Sequence, residues 1–80
     1  MVVLRLFASA REAAGTGLDR VDDATTVGEV LTEARRRYGD EFTAVLRISR
    51  VWRNGQPTAD DEAVGPADEV AVLPPVSGGL

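Results

Sequence analysis

The sequence predicts an α+β fold in which a mixed β-sheet wraps around one main helix. Three observations predict it. Val2, Leu4, Leu6 and Ala8 alternate with Val3, Arg5 and Phe7, the period of a strand with one buried face. Residues 26–39 place apolar side chains at helical spacing between a start and a stop signal. Residues 70–73 read as a short apolar strand that runs straight into a proline. At 80 residues there is room for one modest core, so 1–73 is expected to be a single domain and 74–80 an extended tail.

In the first strand the Arg5 side faces outward, which leaves Phe7 exposed beside it. "SAREAAGTG" follows as a connection with one helical turn at Arg11–Ala14, ended by Gly15 and Gly17. Leu18–Asp22 is a second strand, pairing with the first as a hairpin. The helix begins at Thr26, which forms a capping box with Glu29. Val27, Val30, Leu31, Ala34 and Tyr38 share one face, and Gly39 supplies the stop. Arg35–Arg37 lie in the last turn, where cations complement the helix dipole, and read as a solvated helix end in preference to a nucleic-acid contact.

"LRISRVWRNGQPT" reads as one or two strands with a turn at Asn54-Gly55, Val51 inward and Trp52 outward. "ADDEAVGPADEV" is turn and loop; its acidic runs, Asp60–Glu62 and Asp68-Glu69, read as solvated charges ahead of steering groups for a basic partner. In the last strand Val70 and Val72 take one face, Ala71 and Leu73 the other. The order strand, strand, helix, strand, short strand, strand is that of a β-grasp, with the apolar first and last strands adjacent, parallel and central. An open α+β sandwich of different strand order is the alternative.

The absences restrict function. There is no Cys and no His, which removes thiol nucleophiles, most zinc sites and the usual general base near neutral pH. No complete active site is expected, and the chain reads as the substrate or partner of an enzyme. All nine basic residues are Arg, a pattern that GC-rich coding explains, and a chain without Lys cannot carry isopeptide-linked copies of itself on lysine side chains. A net charge of −4 argues against nucleic acid and suits a basic groove. No stretch has the length of a membrane span, and "MVVLRLF" lacks signal-peptide features, so a cytoplasmic protein is expected.

The ending "PPVSGGL" carries the functional signal. Pro74-Pro75 cannot continue a ladder, so the tail leaves the sheet extended and stiff at its base. Val76 and Ser77 lead to Gly78 and Gly79, slim enough to thread a narrow channel, where glycine lets the backbone approach reactive groups closely. A frayed terminus is the plainer reading; the double proline, the strand before it and the terminal position together favour function.

"LFASAREAAG" near the start and "DEVAVLPPVSGG" at the end resemble the MoaD/ThiS sulfur-carrier family, in the form of the small subunit of molybdopterin synthase. The resemblance implies a ubiquitin-like fold. It also implies chemistry at a C-terminal glycine carboxylate, here Gly79 with Gly78 before it. An adenylating, E1-like enzyme would activate that carboxylate with ATP, a sulfur donor would convert it to a thiocarboxylate, and the large synthase subunit would supply the catalytic groups. The chain itself would bind no cofactor and would be the non-catalytic, sulfur-donating part of a sulfurtransferase. Leu80 departs from the pattern by burying the carboxylate within the chain. A precursor trimmed after Gly79 by a protease ranks first; an appended residue, or an inactive or repurposed carrier, are the other readings. Phe7, Trp52 and Leu73 on the outer sheet face, with Pro74, Pro75, Val76 and Ser77, are the candidate partner-binding residues; the alternative is that one or more of the three large side chains turns inward as core, Trp52 above all. Other functions of the same architecture are sulfur carriage for thiamine or cysteine synthesis, a ubiquitin-like modifier, and a non-reacting adaptor.

Overall fold

Alternation at the start of the chain sends Val2, Leu4 and Leu6 into the interior and leaves Arg5 outside, forming strand β1 (Val2–Leu6). The structure is a computed structural model, and it describes residues 1–75. Helix α1 (Ala8–Ala14) follows at once, then strand β2 (Leu18–Val21), helix α2 (Val27–Arg47), and strands β3 (Arg50–Arg53), β4 (Gln56–Pro57) and β5 (Glu69–Leu73). The strands form one sheet in the order β2-β1-β5-β3-β4. β1 and β5 are parallel and share the centre, with Leu4 opposite Val70 and Leu6 opposite Val72; the remaining pairs are antiparallel. The expected central parallel pair is therefore present, and the open-sandwich alternative is not what forms.

α1 is longer than the single turn expected at Arg11–Ala14, and Ala8 belongs to it instead of extending β1. Ala8 has φ 50, so the chain swings out of the strand directly after Phe7. Its apolar side chain keeps the parity of the strand, which is why the alternation read on into it. An alanine-rich segment pays little side-chain entropy to become helical, and Ala10 is fully buried with Ala13 and Ala14 packed against the core. The amide of Gly15 closes the helix on the carbonyl of Arg11 at 2.9 Å.

The start of α2 is held twice. The Thr26 hydroxyl accepts from the Glu29 amide at 3.2 Å, as a capping box requires, but the Glu29 carboxylate reaches one residue further back, to the amide and hydroxyl of Thr25 at 2.6 and 2.9 Å. The loop before β5 completes the cap, with Val27 and Gly28 amides donating to the carbonyls of Glu62 and Asp60 at 2.9 and 2.8 Å. A Cβ at Gly28 would lie 3.1 Å from that Asp60 oxygen, so the loop's close approach depends on glycine.

Gly39 interrupts α2 as expected, at φ 84 and ψ −160, but the helix resumes and runs to Arg47. This second segment takes in Leu46 and Arg47, which the sequence assigns to a strand. Phe42 is fully buried, Leu46 nearly so, and the Phe42 ring meets Tyr38 edge-on at 5.1 Å between centroids. Beyond the Tyr38 ring, its hydroxyl donates to Asp19 of β2, and Arg37 reaches both the Asp19 carboxylate at 3.1 Å and the Arg20 carbonyl at 2.7 Å. Arg36 and Arg37 also grip Glu33. Of the arginine run, Arg37 thus binds α2 to the edge strand and caps a carbonyl there, while Arg35 and Arg36 make their contacts, to Thr32 and Glu33, within the helix. Among the described residues no helix is long and apolar enough to cross a membrane.

Candidate functional site

Both helices lie on one face of the sheet, so the opposite face is uncovered and its composition follows from strand register. Directly paired residues point the same way. One row across this face reads Leu18, Arg5, Ala71, Trp52, Pro57, from β2 to β4. Arg5 crosses from β1 to form an ion pair with Glu69 of β5 in the middle of the face. The next row, at the end of β5, pairs Leu73 with Arg50. Phe7 falls beside it, its amide donating to the carbonyl of Val72 at 3.3 Å.

The three large side chains expected on this face are all there, but they divide between two hollows. Trp52 and Leu73 join Ile48, Arg50, Pro74 and Pro75 around a hollow of about 370 Å³ at the base of the tail. Trp52 is half-buried and faces outward, because its neighbour Val51 pairs with buried Val72 on the inner face. Phe7 is 43% exposed and lies in a second hollow with Arg5, Arg11 and Leu18. Pro74 is half-buried and Pro75 exposed. The remaining candidates, Val76, Ser77, Gly78 and Gly79, lie outside the described residues, as does Leu80.

Ile48 is the residue that sequence reasoning missed. It is 65% exposed, the most open of the large apolar side chains among the described residues, and it stands at the end of α2 beside the prolines. Its signal was a lone apolar residue between two arginines, legible only once the helix is known to run to Arg47. Arg50 was also passed over; it gives the apolar hollow one cationic wall.

Chemically, the hollow has the composition of a recognition surface. It offers an aromatic ring, aliphatic side chains and a guanidinium beside the point where the chain leaves the sheet, a composition suited to docking. The four residues that follow Pro75, ending at Gly79, span at most about 14 Å when fully extended, so Gly79 is no further than that from this surface.

A five-stranded mixed sheet on a main helix, with an outer face left open beside an emerging tail, defines a ubiquitin-like β-grasp protein. The chain belongs to the ThiS family, whose model matches residues 4–79, a family of sulfur carriers and ubiquitin-like modifiers. It is 41% identical over 86 residues to Small archaeal modifier protein 1 of Haloferax volcanii, covering 94% of this chain and 97% of the relative. A crystal structure of that organism's SAMP1 superposes with a TM-score of 0.82 at 34% identity, covering 98% of each chain. A structure from Pyrococcus furiosus described as a putative molybdopterin converting factor, subunit 1, shares the fold with a TM-score of 0.79 at 24% identity, over 94% of this chain and 97% of that one.

Proposed function

We propose that this protein is a cytoplasmic sulfur carrier, the small sulfur-donating subunit of a molybdopterin synthase, loaded on Gly79 once a protease has removed Leu80. The observation that carries the reading is the run Pro-Pro-Val-Ser-Gly-Gly following the central strand β5 in a ThiS-family chain. A free carboxylate is a poor electrophile. An E1-like partner would therefore join the Gly79 carboxylate oxygen to the α-phosphorus of ATP, with pyrophosphate leaving. A donor at the oxidation level of hydrosulfide then attacks the acyl carbon, and AMP departs with the former carboxylate oxygen. The thiocarboxylate left behind is a nucleophile at neutral pH. The large synthase subunit would position it against a pterin precursor, so acid–base groups are needed there and not in a chain without His or Cys.

The docking hollow beside Pro74 and Pro75 supports this division of labour, since it lets a partner fix the tail's origin. The test is the intact mass of the form ending at Gly79 after incubation with its adenylating enzyme, ATP and a sulfur source. The expected change is exchange of one oxygen for one sulfur; an unchanged mass, with the enzyme active on another carrier, overturns the reading.

A second reading, a ubiquitin-like modifier, is favoured by the 41% identity to Small archaeal modifier protein 1. It shares the adenylation step and differs in the acceptor, a lysine amine of another protein instead of sulfur. Its mark is an amide between Gly79 and lysines of other proteins, sought by mass spectrometry of digested cell extract.

A further inference from the structure

β2 is an edge strand, and its outward side is closed by side chains. Just before it, the Gly17 carbonyl accepts from the Leu6 amide at 3.0 Å, and the direction of the main-chain groups alternates from there along the antiparallel pair. Asp19 and Val21 therefore turn theirs toward β1, while Leu18 and Arg20 turn theirs away from the sheet. A row of free donors and acceptors of that kind is a template for another strand. Here all four groups are taken. The Thr16 hydroxyl accepts from the Leu18 amide at 3.3 Å and donates to the Leu18 carbonyl at 3.0 Å. The Arg20 amide donates to Asp19 Oδ1 at 2.8 Å, and Arg37 Nη1 donates to the Arg20 carbonyl at 2.7 Å.

The closure is anchored in helix α2. Asp19 lies opposite buried Leu4 and so points to the helical side of the sheet, where its Oδ2 accepts from the Tyr38 hydroxyl and lies 3.1 Å from Arg37 Nη1. Glu33, one turn back, holds the same guanidinium through Nε at 2.8 Å. The opposite edge is blunted by other means. In β4, Gln56 pairs with Arg53, and the following Thr58 amide donates to the Val51 carbonyl at 3.2 Å. Pro57 between them turns outward, and it has no amide hydrogen to offer.

We infer that Thr16, Asp19 and Arg37 form a seal against strand addition, and that the strand they exclude is β2 of a second copy. The edge is its own complement. Two β2 strands set antiparallel about a twofold axis would place Leu18 of each copy opposite Arg20 of the other, with four bonds made from the groups that side chains now hold. Leu18, 43% exposed, adds an apolar side chain to that edge. With both edges closed, a partner meets this sheet through its outer face.

The experiment is sedimentation velocity of the full chain over a concentration series, with hydrogen exchange read at the Leu18 and Arg20 amides. Wild type and Arg36→Ala, which leaves β2 untouched, are expected to stay at the mass of one chain. Thr16→Val/Asp19→Ala/Arg37→Met releases all four groups. It is expected to reach twice that mass as concentration rises, with exchange at Leu18 and Arg20 slowing in step. Adding Arg20→Pro, which gives β2 the outward proline that β4 has, is expected to return the variant to the mass of one chain. Where circular dichroism shows the triple variant unfolded, Thr16→Val/Arg37→Met, which keeps the bond between Asp19 and Tyr38, takes its place with the same expectation. A folded variant that stays at the mass of one chain at every concentration overturns the inference. So does association that leaves exchange at Leu18 and Arg20 unchanged, association that persists with Arg20→Pro, or wild type that pairs through these amides.

Discussion

Trp52 stands between Ala71 and Pro57 in the outer row, half-covered, with its ring forming one wall of the hollow that Ile48 and the prolines complete. A rigid aromatic flanked by aliphatic neighbours offers a partner large buried area for little lost rotamer freedom, which is why such residues dominate docking energetics. Trp52→Ala and Ile48→Ala are each expected to weaken affinity for the adenylating enzyme proposed as partner by at least about 10-fold, or about 1.4 kcal/mol. Isothermal titration measures this, with Arg36→Ala as the variant that leaves Kd unchanged. Strand parity alone placed Phe7, Trp52 and Leu73 on this face. Ile48 was not legible in that way, because its exposure depends on where the preceding helix stops and not on any period of its own.

Helix α2 is two segments joined at Gly39, and the joint explains what the sequence revealed and what it hid. Thr26, the apolar face from Val27 to Tyr38, and a glycine after Tyr38 form a complete helix by themselves, so the reading stopped there. Phe42, Val45 and Leu46 repeat the i, i+3, i+4 spacing and bury a full aromatic ring, but a restart directly after a glycine has no local signature apart from that spacing. At φ 84 and ψ −160, Gly39 occupies backbone space essentially closed to other residues, while a Cβ built on it meets nothing within 4 Å. The cost of Gly39→Ala is therefore one of backbone conformation without a clash. It is expected to be about 1–3 kcal/mol, read as a lower urea midpoint with the slope unchanged.

Over the whole molecule, ionisation brackets the pH range of stability. Hydrogen bonds hold several carboxylates below their ordinary values: Asp19 through Tyr38, Glu29 through the Thr25 amide, Glu62 through Thr58, and Asp68 through Asn54. Glu33, gripped by Arg36 and then Arg37, falls to about 2. A carboxylate depressed in the folded state stabilises it fully above its unfolded value, and that contribution is lost as pH falls through the folded value. Tyr38 is pushed up to about 12 by burial and by its bond to Asp19, so its contribution is full below 10.0 and is lost as pH rises through that folded value. The sequence has no His or Cys, the side-chain types whose ordinary values lie nearest neutrality. Denaturation across pH is expected to show a flat neutral plateau, an acid limb that Glu33→Gln reduces, and an alkaline limb that Tyr38→Phe removes. The adjacency of the first and last strands was legible from their apolar composition, since only central strands are apolar on so much of both faces. That adjacency has a mechanical side. A partner that tugs on the emerging end pulls along β5, which is clamped between β1 and β3. The bonds of both flanking ladders lie across the direction of pull, so they bear the load together and cannot peel one by one. The handle of this molecule is fixed to the strand at the middle of its sheet.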